Sequence, residues 1–155
     1  MRQVLVFDQK HLTLLLAGIP KYLLDGLKKI QNNAAHIVFK SPKHCHVSPL
    51  LHSLQWLPIT KRIDYKLSSL CFSVINGTCP EYLSELLTIY TPSRQLHFTS
   101  DTRLFRISSF KTKTNWQRSF SFQAATVRNN LPQIVRYSTS ISSFKSSRKI
   151  HLFSK

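Results

Sequence analysis

Acidic residues are scarce in this chain. Six Asp and Glu stand against 22 Lys and Arg, a net charge of +16. Such a surplus repels itself in a compact state unless an anionic partner neutralises it. Nucleic acid is the commonest such partner, and an anionic membrane surface comes second. The same charge would also suit a solvated basic surface or a chain parted from an acidic segment. Asp8, Asp25, Asp64 and Asp101 are scattered, with no acidic neighbour. None is part of an adjacent acidic pair of the kind that holds two catalytic metal ions, and polymerase or nuclease activity is not expected of this chain alone. Glycine is scarcer still, and Gly18, Gly26 and Gly77 form no phosphate-binding loop. Cys45, Cys71 and Cys79 are an odd, irregularly spaced set. They make no disulfide framework and suit a reducing compartment, nucleus or cytoplasm. The longest apolar run, Leu12 to Ile19, is interrupted by Thr13 and Gly18 and stopped by Pro20. It falls short of the roughly 18 residues that a membrane span needs. Asp8, Lys10 and His11 break up the apolar stretch that a signal peptide would require.

What is present is a strongly apolar helix over 59–76. Ile59, Ile63, Leu67, Leu70 and Val74 recur at steps of four, four, three and four, the spacing of one helical face. Cys71 and Ile75 widen that stripe, while Tyr65 and Phe72 lie opposite. Only Arg62, Lys66, Ser69 and Ser73 form a polar strip, which reads as structural. A helix with so little polar surface belongs in the middle of a domain. Pro58 suits its start and Asn76-Gly77 its end.

Around it the spacing predicts a helix over 21–40, with Leu23, Leu27, Ile30, Ala34 and Val38 on its apolar face. A short helix over 49–55 is expected behind Ser48 as N-cap. Another follows Pro80-Glu81, with Tyr82, Leu83, Leu86 and Leu87 as its apolar face. His11 to Ala17 reads as the tail of a helix closed by Gly18. After Asp101 no acid follows. Arg103 to Ile107 has the alternation of an edge strand with Arg103 exposed, and 108–114 suits a loop or a returning strand. Phe120, Ala124 and Val127 have helical spacing, and a last helix is expected over 140–153 with Ile141, Phe144 and Leu152 inward. The fold is therefore expected to be mainly α, with a helical domain over 1–90. A basic extension over 91–155 would hold one or two helices and room for a short β-hairpin.

Several of these stretches also resemble a known family. Leu15 to Pro20 is similar to "LLAGLP", and Leu27 to Ala35 to "LQxIQNxAAR". His46 to Pro49 followed by Leu54 to Ile59 resembles "HITPxLxxLHWLPI", and Arg62 to Lys66 matches "RIDYK". Pro80 to Leu83, Thr91 to Arg94, Arg118 to Ser121, Asn129 to Pro132 and Ser143 to Lys145 follow in collinear order. Together they resemble the C-terminal region of the polymerase polyprotein of LINE-type (non-LTR) retrotransposons, of the jockey-like and chicken-repeat-like clades. The resemblance implies a mostly helical region downstream of the reverse transcriptase palm, where it would help to hold template RNA and target DNA. The family's aromatic-x-Asp-Asp motif is absent. Arg128 replaces a usual Trp, Gln55 a His, Arg148 an apolar residue and Trp116 a Gly. Those departures imply an inactive, drifting copy and leave the packing of the last third open.

The functional candidates are Arg94, Arg103, Arg106, Lys111, Lys113 and Arg118, interleaved with Phe98, Phe105, Phe110 and Trp116. Cations there would neutralise phosphates of RNA or DNA while aromatics stack on unpaired bases. The same aromatics would equally serve as core. His44-Cys45-His46 fits no zinc spacing, because adjacent side chains do not converge on one tetrahedral ion. No metal, cofactor, small-molecule substrate or membrane partner is expected. The second functional reading is an open reading frame without a selected role, partly disordered.

Overall fold

The computed structural model describes residues 18–92, 103–107 and 119–153. Within them the chain forms α1 (Lys21–Val38), α2 (Val47–Ser53), α3 (Ile59–Ile75), α4 (Glu81–Glu85), α5 (Phe120–Asn129), α6 (Gln133–Arg136) and α7 (Ile141–Phe153). The mainly α class is as expected. The stretches read at 1–17 and the returning strand at 108–114 lie outside the described residues.

α3 is the axis of the packing, as its apolar circumference demands. Ile63 and Leu67 meet Leu24 of α1 and Val127 of α5. Cys71 packs against Ala124 and Ala125 of α5, together with Leu87 and Phe105. The two alanines let α5 come close, and the Cys71 Sγ–H donates to the Ala124 carbonyl at 3.4 Å. Phe72, on the opposite side, stacks on Phe144 of α7 at 4.7 Å between ring centres. Leu131 and Val135 complete that cluster. Residues from both sides of position 91 thus share the surfaces of one helix.

Two side-chain amides fasten backbone that has no helical partner. The Gln31 amide of α1 donates to the Leu57 carbonyl at 2.8 Å, and its oxygen accepts from the Ile59 N–H at 3.1 Å. Pro58 offers no cap of its own, so Gln31 satisfies a first-turn donor of α3 from another helix. Asn129 does the same for Phe105. Its oxygen accepts from the Phe105 N–H at 3.0 Å and its amide donates to the Phe105 carbonyl at 2.9 Å. The other edge of that segment pairs with 88–90 through an isolated antiparallel bridge between Ile89 and Phe105. The observed partner of the predicted edge strand is therefore Ile89, upstream of it.

α1 buries a different stripe from the one that its spacing suggests. Leu24, Leu27, Gln31 and Ala35 turn inward, while Leu23, Ile30 and Val38 are exposed. The helix carries two apolar stripes, and the Gln31 clamp selects between them. His36 is buried, with Nδ1 3.0 Å from the Ser41 hydroxyl. α2 begins at Val47, earlier than Ser48 would cap it, and Ile141 is exposed rather than inward.

Three helices end in the same way. In each, an N–H bonds back six-to-one and the preceding N–H five-to-two: Ser41 to His36 and Lys40 to Ile37, Trp56 to Leu51 and Gln55 to His52, Thr78 to Ser73 and Gly77 to Val74. The pivots Lys40, Gln55 and Gly77 have φ of 49°, 55° and 65°. Only the last is the glycine that this ending favours. Lys40→Gly and Gln55→Gly should each raise stability by about 0.5–1 kcal/mol, since they relieve the left-handed strain of a side-chain-bearing residue. Urea unfolding midpoints of the two variants check this.

Candidate nucleic-acid interface

Of the six cations singled out by their density along the chain, Arg103 and Arg106 lie in the described residues. Arg94, Lys111, Lys113 and Arg118 lie outside them, as do Phe98, Phe110 and Trp116. Arg106 is exposed beside the Ile89 bridge, its N–H donating to the Thr88 carbonyl at 2.8 Å. Arg103 is half-buried, not the exposed side chain expected of it. Its guanidinium lies 5.1 Å from the centre of the Tyr137 ring and donates to the Arg136 carbonyl at 3.5 Å. Phe105 is buried in the core with Cys71, so of its two readings packing holds.

Arg128 converges on the same Arg136 carbonyl, at 3.0 Å. It is 1% exposed, with its guanidinium 5.9 Å from the centre of the Phe144 ring. The end of α6, where carbonyls point outward, is a favourable place for cations. Arg148 is buried as well, and its Nε donates to the Ser68 hydroxyl at 3.3 Å. Arg128 and Arg148 therefore both sit inside packed surroundings.

A concave surface lies elsewhere, along the polar strip of α3. Arg62, Tyr65 and Lys66 floor a depression of about 540 Å³, walled by Leu27 and Ile30 of α1 and by Trp56 and Leu57. Tyr65 and Lys66 also border a second depression of about 200 Å³ that continues past Ser69 and Ser73 to Lys145 of α7. Gln55 links the first depression to a third one, lined by His52, Lys149 and Phe153. Along the polar strip of α3 the first two depressions adjoin at Tyr65 and Lys66, forming a groove with cations and aromatic rings in its lining.

The helix geometry explains the strip. Arg62, Lys66, Ser69 and Ser73 share one face. α7 packs on the Phe72 side, and α1 on the Ile63 side. The strip is left between them. Ser69 and Ser73 hydroxyls donate to carbonyls one turn back, at 2.8 and 3.2 Å, which keeps them low on the floor. Burial pushes the Tyr65 phenol above its ordinary pKa, so it stays neutral at physiological pH. Among the described residues no Asp or Glu lines the three depressions.

Arg62 and Lys66, which the sequence pattern marks as structural, line these depressions. The signal was present in a polar strip on an otherwise apolar helix, next to an exposed Trp56. Lys145 could not be joined to it by sequence spacing. Other chemistry finds little footing here. Burial pushes the Cys71 thiol up to about 12, so it is no nucleophile at neutral pH. Among the described residues no three His, Cys, Asp or Glu side chains gather as a metal site. No described helix is long and apolar enough to cross a membrane. Compared with protein-family models, curated proteins and solved structures, the chain matches none.

Proposed function

We propose that this chain is a non-catalytic remnant of a LINE-type retrotransposon RNA-directed DNA polymerase, from the region downstream of the palm. It binds RNA or DNA through the phosphate backbone, without sequence preference. The observation that carries the binding is the net charge of +16 on a packed helical body whose long groove presents cations and no described acid. Cations neutralise phosphates and release condensed counterions, which supplies affinity for any sequence. The lineage rests on the collinear motifs. Gln31 and Asn129, two of the residues carrying the resemblance, fasten backbone in this fold. The non-catalytic reading rests on the missing Asp pair.

Salt dependence tests the binding. Three phosphates neutralised on a single strand predict a fall in affinity of about twentyfold between about 50 and 200 mM salt. Filter binding or fluorescence anisotropy with a labelled RNA measures it. An affinity that ignores salt contradicts the proposal. So does one that changes strongly with base sequence at fixed salt.

A further inference from the structure

We infer that the groove along α3 takes an unpaired strand, with bases against Trp56 and Tyr65 and phosphates against Arg62, Lys66 and Lys145. This rests on the proposed nucleic-acid binding and narrows it to single-stranded substrate at a named place.

The lining decides between single and double strands. A duplex offers phosphates at its surface and hides the faces of its bases, so it needs cations and little else. An unpaired strand also exposes flat apolar base faces, and proteins that hold it set aromatic rings along a cationic groove. The depression beside Trp56 has both kinds of surface. Leu27, Ile30 and Leu57 make its walls apolar, and Arg62 and Lys66 supply charge. Trp56 is 38% exposed, so part of the indole is open to a partner. Its volume of about 540 Å³ lies in the range of clefts that enclose small organic groups such as a nucleobase.

The direction of the strand follows the helix. Arg62 and Lys66 are four residues apart on one face, displaced by about 6 Å along the axis. Lys145 extends the line from α7 at the second depression. Phosphates would follow this row while bases turn toward Trp56 and Tyr65. Gln31 is committed to Leu57 and Ile59, so it holds the wall rather than reading a base. That leaves stacking and charge as the main contacts, and base identity should matter little.

The test uses the full chain, a 12-nucleotide single-stranded oligouridylate and an RNA duplex of equal length at low salt. Tryptophan fluorescence is read for the wild type and for Trp56→Phe, whose difference isolates Trp56 from Trp116. The expected result is quenching of Trp56 by the single strand and little by the duplex. Trp56→Ala should weaken single-strand affinity about tenfold, with Trp56→Phe restoring most of it. Arg62→Ala with Lys66→Ala should weaken it comparably and flatten the salt slope, a change that needs no alteration at Trp56. Circular dichroism of each variant establishes that it is folded. Salt-dependent binding with unchanged Trp56 fluorescence, or equal quenching by the duplex, overturns the groove while leaving general nucleic-acid binding standing. Failure to bind either RNA at low salt overturns both. Stronger Trp56 perturbation by phosphatidylserine vesicles than by the oligonucleotide would also overturn the groove assignment.

Discussion

Phe144→Ala should cost about 3–5 kcal/mol of folding stability. That is a large part of the total of about 5–15 kcal/mol typical of a domain. Phe144 is fully buried. It stacks on Phe72 of α3, touches the Leu131 and Val135 cluster, and lies under the Arg128 guanidinium. Removing the ring opens a cavity where α3, α6 and α7 meet. Neighbours on three helices cannot all close over it. Ile150→Ala in the same helix is the control: Ile150 is 70% exposed, and its loss should stay within about 0.5 kcal/mol. Urea unfolding of both variants measures the gap. Equal small effects would mean that α7 is not docked on α3.

Arg148 carries the second large effect, because of how its charge is housed. Its Nη1 lies 3.1 Å from His151 Nδ1. Arginine has only donors, so in this contact the guanidinium donates and the imidazole nitrogen accepts. Burial pulls the Arg148 pKa down, and the Asp64 carboxylate works against that fall. Burial in turn pushes Asp64 up, with Arg148 pulling it back. In both groups desolvation outweighs the attraction, the mark of a charge pair that is costly to bury. Arg148→Ala should cost about 3–5 kcal/mol, because it leaves a hole and strands Asp64 without its counter-charge.

Arg148→Met separates the two losses. It fills much of the volume and removes only the charge, so it should cost clearly less than Ala. Its cost should also depend on pH. The Asp64 pKa in the folded chain is raised above its ordinary 3.8, and losing Arg148 raises it further. The stability contribution of a raised carboxyl is fully present below the unfolded value and is lost as pH rises through the folded one. The methionine variant should therefore lie near wild type at about pH 4 and fall behind toward about pH 7. Urea midpoints across that window check it. A gap that does not change with pH would mean that Asp64 is indifferent to Arg148.

How much of this was legible depended on how many answers each stretch allowed. The spacing of α3 leaves only a narrow polar strip, and its limits and central position follow from it. α1 has two apolar stripes, and the choice falls to Gln31, whose partners lie in another part of the chain. Gly77 announces its helix end. Lys40 and Gln55 adopt the same left-handed turn without a residue that advertises it. Buried arginines are hidden for a similar reason. Arg128 needs the Arg136 carbonyl and Arg148 the Ser68 hydroxyl, and no local pattern reveals such acceptors. The groove shows the same limit. Cations clustered between 94 and 118 stand out in the sequence, whereas Lys66 and Lys145 border one depression only because α7 returns to α3.

The most direct measurement is thermal unfolding of the purified chain by circular dichroism, with and without a short single-stranded RNA. One cooperative loss of helix, moved upward by RNA and less so as salt rises, is the result expected of a packed module that binds nucleic acid through phosphate neutralisation. A cooperative transition that RNA leaves in place would contradict the binding. A gradual, non-cooperative loss in both samples would contradict the shared core around α3 on which the groove depends.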